Sequence, residues 1–549
     1  MIAAPLSIEA RRLAGACLAI TIAIGLALAY RRAGLANPYA GVSIYSHLLL
    51  YQDYYVVAPY ALVAVLALLA PVRELGLRLA GFCGRQAPAV AIATALALAA
   101  GSRYVYHAHP LSMDEYALVF QSRIFAAGQL TGRYPAELVD WIIPHFFQGR
   151  FLAFSGATGE VLSVYWPGYS LLLTPFTLLG APWLLNPLLC GGTVLVVHRL
   201  GLRLFGSREA AGLAVLLAIA SPAVTINGLS FYSMPAHLLA NGLYLLLLLE
   251  PTPKRALLAG VIGSLALTLH NPVPHILFAL PWVAWLALRP GRFRLLGALL
   301  AGYLPGCLLL GFGWSLFLSG QMQAAAGGIA AAGANLLYER AASIGTTVSS
   351  LGLASRPLDL VKLWLWSVPG MMALALVGGW QLRREPGLWW AIAGSGLLTY
   401  FGYFLVPFDQ GHGWGARYFH SAWLVLPLLA VRVARAPNAP LAGYLAGCAL
   451  LSLALLTCLR ALQVEQFVSR HLAQLPSAAS GEAKVLIIDG RNSYYGWDLV
   501  RSDPFFRDEP KVLISRGAER DAAMMAARFP QYRLLAADRY GWAWGIPAR

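Results

Sequence analysis

Residues 89–120 read AVAIATALALAAGSRYVYHAHPLSMDEYALVF. The stretch opens on an apolar run that carries no charge until Arg103, long enough to cross most of a hydrocarbon core of roughly 30 Å. It turns polar at His107 and His109 and then reaches an adjacent acidic pair, Asp114 and Glu115, at the head of a second apolar segment. A carboxylate held at a membrane interface is partly desolvated, which raises its proton affinity while leaving it ionised near neutral pH, a condition suited to a general base. The plainer reading is a cap: Asp114 would cap a helix that begins at Glu115 and runs to Phe125, with Glu115 favoured by the helix dipole.

Outward from this stretch the chain repeats its first half. Of 549 residues 59% are apolar and 12% charged, and the mean hydropathy is +0.64, which excludes an ordinary globular composition. Thirteen spans are expected, near 13–30, 54–71, 88–105, 183–200, 210–227, 235–250, 256–270, 274–289, 295–318, 361–380, 388–406, 418–434 and 440–460. Residues 11–30 follow Arg11 and Arg12 as a signal peptide would, but no small-residue cleavage site precedes Arg31, so they read as an uncleaved first helix.

The net charge of +16 is set by topology rather than by a nucleic-acid partner. One set of alternate loops (1–12, 72–87, 201–209, 251–255, 290–294, 381–387, 435–439) holds 14 Lys and Arg in 59 residues, and the opposite set holds 8 in 163. The dense set is cytoplasmic by the positive-inside rule. Residues 168–181 are apolar enough to suggest a further span, but counting it would reverse every later loop against this bias. At about 14 residues it reads as a short helix at the interface. An odd number of spans leaves the N-terminus cytoplasmic and the C-terminus outside, in a plasma (inner) membrane.

The expected architecture is therefore an all-α polytopic membrane protein with a small extracytoplasmic α/β domain at its end. Residues 1–87 hold two N-terminal spans, 88–460 the main transmembrane domain with its large outer loop 106–182, and 461–549 the final domain. That domain shows strand-like runs at Val485–Ile488 and Val512–Ile514, a helical stretch from Arg520 to Arg528, and Tyr532–Leu535. The Ala/Gly-rich run 324–334 is either flexible or a helix in the outer loop 319–360. Six scattered cysteines, with Cys83 in a basic loop and the others in apolar spans, form no disulfide or zinc pattern.

Of the 24 acidic residues only Glu250 touches an expected span, at the very end of 235–250, and none lies at mid-span, which argues against a proton or ion relay at depth. Chemistry is expected outside, where the loop 106–182 collects Asp114, Glu115, Glu137, Asp140 and Glu160.

With these motifs in order the chain resembles the GT-C superfamily of membrane glycosyltransferases, particularly bacterial relatives of the protein O-mannosyltransferases and of the transferase that adds aminoarabinose to lipid A. In that family the first large outer loop begins with an acidic motif, commonly Asp-Glu, just after a span, and Asp114-Glu115 matches it. Tyr165-Trp166-Pro167-Gly168-Tyr169 looks like the family's Pro-Gly-Tyr entry into an interfacial helix. The run Gly411-His412-Gly413-Trp414-Gly415-Ala416-Arg417-Tyr418 is similar to the late-loop motif of relatives, with Ala416 where proline is usual. Two departures stand out. Two spans precede the one that normally comes first, and His270-Asn271-Pro272 stands where many relatives have Arg-Pro.

The resemblance implies transfer of a sugar from a polyprenyl-phosphate donor to an acceptor hydroxyl, with inversion and with no cofactor beyond the lipid-linked donor. Asp114 would be the base and Glu115 its partner or an acceptor-binding group. Arg417 would hold the donor phosphate, because a guanidinium binds phosphate oxygens as a fork; otherwise it snorkels at a helix end. His412 and His270 would bond phosphate or sugar hydroxyls, and Tyr165, Trp166 and Tyr169 would stack on sugar or line a lipid groove. Each of these also has an ordinary interfacial reading. His107, His109 and Asp114 have the chemistry of a three-ligand metal site, but no Asp-x-Asp motif supports one and no metal is expected. The acceptor is a lipid, glycan or protein. The rival readings are a transporter or flippase, which predicts repeated halves and polar groups at mid-membrane, a polymerase or ligase of lipid-linked polysaccharide, and a non-catalytic envelope scaffold.

Overall fold

In lipid every backbone N–H and C=O must be satisfied within the chain, so long apolar runs fold as helices. The computed structural model describes residues 7–35, 43–325, 350–382, 387–406, 409–434, 440–476 and 482–547. Most of the Ala/Gly-rich run 324–334 lies outside them. Among the described residues six helices are long and apolar enough to cross a membrane: Ile8–Ala33, Ile44–Leu66, Pro182–Phe205, Arg292–Gln321, Leu388–Leu405 and Leu441–Leu472. A seventh arises if Ala70–Arg85 and Ala87–Tyr104, bent by 103° at their junction, form one span. Shorter apolar helices include Met234–Leu248, Val273–Ala287, Met371–Gln381 and Val425–Ala434. The chain is thus a mostly helical polytopic membrane protein with a small sheet-bearing region near its C-terminal end.

Several runs expected as single spans are broken. The run 210–227 divides into Arg208–Ile219 and Pro222–Asn227, because Pro222 lacks the N–H to continue a helix but suits the first turn of the next. The run 361–380 divides into Ser350–Leu365 and Met371–Gln381 around Gly370, whose φ of 84° lies in the left-handed region. Residues 72–87, expected as a basic loop, are instead mostly the helix Ala70–Arg85, and Cys83 is buried in it. Gly76, Ala80, Cys83 and Gly84 recur at helical spacing and are the buried stripe. Residues 168–181 form the eleven-residue helix Gly168–Leu178, too short to cross.

Packing divides the chain into two compact units: 1–102, 184–308 and 342–463 in one, and 103–183, 309–341 and 464–549 in the other. In the first, helices approach until only hydrogen fits between their backbones. A Cβ on Gly212 would stand 2.0 Å from the Ala80 carbonyl oxygen, and one on Gly260 would stand 2.1 Å from that of Leu299. Small residues at such crossings replace the hydrophobic drive that lipid does not supply.

The same unit corrects the expectation that no carboxylate lies at mid-span. Asp53 sits in a 3-10 turn that interrupts Ile44–Leu66. Its Oδ2 is 2.9 Å from Lys362 Nζ, and its Oδ1 is 2.7 Å from Arg460 Nη1 and accepts Trp366 Nε1 at 2.7 Å. Asp53, Lys362 and Arg460 are all buried. Nearby in sequence, Asp359 pairs with Arg356 at 3.0 Å and accepts the Tyr45 hydroxyl at 2.9 Å. These acids are neutralised by fixed cations, the arrangement a buried charge requires.

The second unit carries the mixed structure. Helix Met113–Ala126 packs along Gly168–Leu178, where Ser170 Oγ donates to the Leu118 carbonyl at 3.0 Å. Short antiparallel strands Gly132–Arg133 and Leu152–Phe154 flank Glu160–Ser163. The C-terminal sheet runs Lys511–Ile514, Glu482–Ile488, Gly541–Ile546, Arg533–Asp538, with its first pair parallel and the others antiparallel. Both strand runs expected from the sequence are present, as is the helix, at Ala518–Arg528. Val485, Ile487 and Leu513 share one core with Tyr116, Phe120, Tyr134 and Ile142 of the early segment.

Candidate functional site

Helix Met113–Ala126 is fixed at its start by the residues around the acidic pair. Ser112, in extended conformation at φ −113°, is its N-cap. A capping box closes reciprocally: the Ser112 side chain takes the Glu115 amide, and the Glu115 carboxylate takes the Ser112 amide at 3.0 Å. Each such cap is worth about 1 kcal/mol. Glu115 also accepts the Leu111 amide at 2.9 Å and the Tyr106 hydroxyl at 3.0 Å. It is 0% exposed. The cap anticipated at Asp114 therefore belongs to Ser112, and Glu115, anticipated as the partner of Asp114 or an acceptor-binding group, holds the turn.

Asp114 is left at the second helical position, half-buried, with one oxygen accepting the Tyr165 hydroxyl. Tyr165 is itself anchored, since its carbonyl accepts Trp314 Nε1 at 3.1 Å. A carboxylate with a fixed backbone, one oxygen oriented by a phenol and partial access to solvent is equipped to take a proton. Tyr165→Phe is expected to slow proton transfer about tenfold, equivalent to ~1.4 kcal/mol. Single-turnover rates of the two proteins check this, and equal rates would remove Tyr165 from the site.

The other aromatic residues of that motif pack against their neighbours to different depths. Trp166 is half-buried in a cluster with Trp314, Leu318 and Phe125. Tyr169 is 1% exposed, so it is placed to pack rather than to stack on a ligand.

Residues from the end of the chain complete the surroundings of the acidic turn. Asp498 Oδ1 accepts the Met113 amide at 2.7 Å. Arg501 Nη1 is 3.0 Å from His109 Nε2, and its guanidinium lies over the Tyr116 ring at 5.3 Å. The Tyr116 hydroxyl donates to the Ser502 carbonyl. Burial pushes the Asp498 carboxyl up to about 7 against the pull of Arg501, and burial followed by Arg501 holds His109 well below the usual imidazole range. His107 is 3.0 Å from Ser469 Oγ and 3.6 Å from Glu465. His107, His109 and Asp114 thus engage three different partners. Among the described residues no group of three His, Cys, Asp or Glu is placed to hold a metal.

His412 and Arg417 come together in the other unit. Gly411 and Gly415, at φ 63° and 73°, turn the chain back on itself. Gln410 braces the turn, donating to the Gly415 carbonyl at 2.7 Å and accepting the Arg417 amide at 2.8 Å. Arg417 Nη1 donates to the His412 carbonyl at 2.8 Å, and its half-buried guanidinium lies 5.0 Å from the centre of the Tyr232 ring. His412 Nδ1 is 2.7 Å from the Tyr232 hydroxyl. Arg417 opens the 3-10 helix Arg417–Ala422, and its amide and guanidinium are both tied to the preceding loop. His270 lies between helices Pro253–Thr268 and Val273–Ala287, its Nδ1 2.6 Å from Asn271 Nδ2.

Asp498, Arg501, Tyr106, Tyr232 and Gln410 were not legible as site residues. Tyr106 alone carried a local signal, nine residues before the carboxylate it bonds.

No family model and no curated protein matches the chain in sequence. Among solved structures it is similar to ArnT from Cupriavidus metallidurans bound to undecaprenyl phosphate, at 11% identity and a TM-score of 0.50 over 83% of this chain and 97% of that one. The apo state of the same protein aligns over the same shares at 12% identity and a TM-score of 0.49. At such identity the likeness is one of fold alone: over most of its length this chain shares the fold of that ArnT structure.

Proposed function

We propose that the chain is a membrane glycosyltransferase that moves a sugar from a polyprenyl-phosphate donor to an acceptor hydroxyl on the extracytoplasmic face. Asp114 takes the proton of the acceptor hydroxyl as its oxygen bonds the anomeric carbon. The bond from that carbon to the phosphate oxygen breaks on the opposite side, so the configuration inverts and the lipid phosphate leaves with the electron pair. A phosphate is a good leaving group and needs no acid. It needs positive charge, a task to which an arginine fork such as that of Arg417 is suited.

The observation that carries this reading is the division of labour in the acidic pair: Glu115 is closed within the helix cap, whereas Asp114 is oriented and partly accessible. The fold shared with a protein solved on undecaprenyl phosphate supports a polyprenyl phosphate as the lipid. The distribution of Lys and Arg supports the orientation, with the C-terminal end outside.

The test is transfer of labelled sugar by the purified chain in lipid nanodiscs supplied with defined polyprenyl-phosphate sugars and membrane acceptors. Label moving to acceptor with release of polyprenyl phosphate is the expected result. Transport of the intact lipid-linked sugar across vesicles, with no label transferred, would replace the enzyme by a flippase. Arg417→Ala is expected to raise the donor KM at least about 30-fold, equivalent to ~2 kcal/mol, with Arg417→Lys between it and the parent. An unaltered donor KM would move the phosphate site elsewhere.

A further inference from the structure

We propose that Asp498, near the C-terminal end of the chain, is a positioning residue for Asp114, and that the C-terminal region is in this way a working part of the transferase site. The inference rests on the reading of Asp114 as base.

The first four amides of a helix have no partner within it. In helix Met113–Ala126 the local sequence takes care of its start up to a point: Ser112 accepts the Glu115 amide, and Glu115 accepts the Leu111 and Ser112 amides. The Met113 amide, one residue before Asp114, is satisfied from 385 residues away by Asp498 at 2.7 Å. Asp498 is held in the short 3-10 turn Gly496–Leu499 and is buried. The neighbouring Arg501 supplies countercharge to Asp498 and Glu115. It is tied in turn to His109 and to the Tyr116 ring of the same helix.

Tyr116 and Tyr134 both bond the Ser502 carbonyl, so the segment 498–502 grips the early loop at several points. Of these contacts, the one from Asp498 reaches the turn that aims Asp114. Loss of that acceptor would leave a buried amide unsatisfied, so the bond holds one backbone orientation over its neighbours.

The discriminating comparison is Asp498→Ala with Asp498→Asn. Asparagine keeps an oxygen that can accept the Met113 amide, and alanine does not. In the full chain in nanodiscs, Asp498→Ala is expected to speed amide exchange in peptides spanning 111–116 at least tenfold. It is also expected to lower kcat at least tenfold with donor KM within about twofold, while Asn restores most of both losses. Where Ala yields too little protein, Asp498→Ser, whose hydroxyl is too short to reach Met113, gives the same reading. Unaltered exchange in Ala or Ser overturns the proposal, as does faster exchange with unaltered kcat per folded molecule. A merely structural role would lower the folded yield and leave that kcat alone. If the parent itself transfers no sugar, the transferase reading fails, and the exchange data still decide whether Asp498 holds the turn.

Discussion

Asp114→Asn is expected to lower the turnover number for sugar transfer by about 10²–10⁴-fold, the range that a positioned general base supplies, while donor KM stays within a few-fold. Asparagine has the same shape and still accepts the Tyr165 hydroxyl, so the helix start and its cap should survive. What is lost is the capacity to take a proton. Glu115→Gln tests the complementary role. Its carboxylate is enclosed by Tyr106, Leu111 and Ser112, so the change should act on folding and yield, with a much smaller effect on kcat per folded molecule. Single-turnover transfer in nanodiscs, normalised to folded protein, separates the two. If Asp114→Asn retained more than a tenth of parental activity, another group would have to be the base.

The second large effect concerns stability. Asp53→Ala leaves Lys362 and Arg460 buried without the carboxylate that pairs them, and removing one partner from a buried ion cluster typically costs about 3–5 kcal/mol. The three side chains are 1%, 1% and 0% exposed for Asp53, Lys362 and Arg460, so water cannot replace the missing charge. The measurement is the unfolding midpoint and monodisperse yield of purified protein in mild detergent, where a marked fall in both is expected. The double variant Asp53→Ala with Lys362→Met should recover part of the loss, because one unpaired cation leaves with its partner. A loss below about 1 kcal/mol would mean that the cluster is solvated rather than sealed.

This cluster also bears on the transporter alternative. An acid at depth is the usual mark of an ion path, and the sequence reading had none. Asp53 supplies one, but it is enclosed by two cations and the Trp366 indole, which suits a structural lock better than a relay.

The sequence by itself determined that this is a polytopic helical membrane protein with an α/β region at its end, because hydropathy over about twenty residues and strand-like alternation are local properties. It also placed Asp114 and Glu115 side by side after a span, and Arg417 in a glycine-rich loop. It did not say which carboxylate would be used by the cap. Both Asp and Glu favour a helix start, and the choice fell to Ser112, whose spacing to Glu115 completes a box. Tertiary structure alone decided the burial of Asp53 with Lys362 and Arg460 and the bond from Asp498 to Met113. Those contacts join residues more than 300 positions apart. Charge pairing and amide satisfaction depend on which groups folding brings together in a medium that offers no water to substitute, and no local pattern in a single chain encodes that.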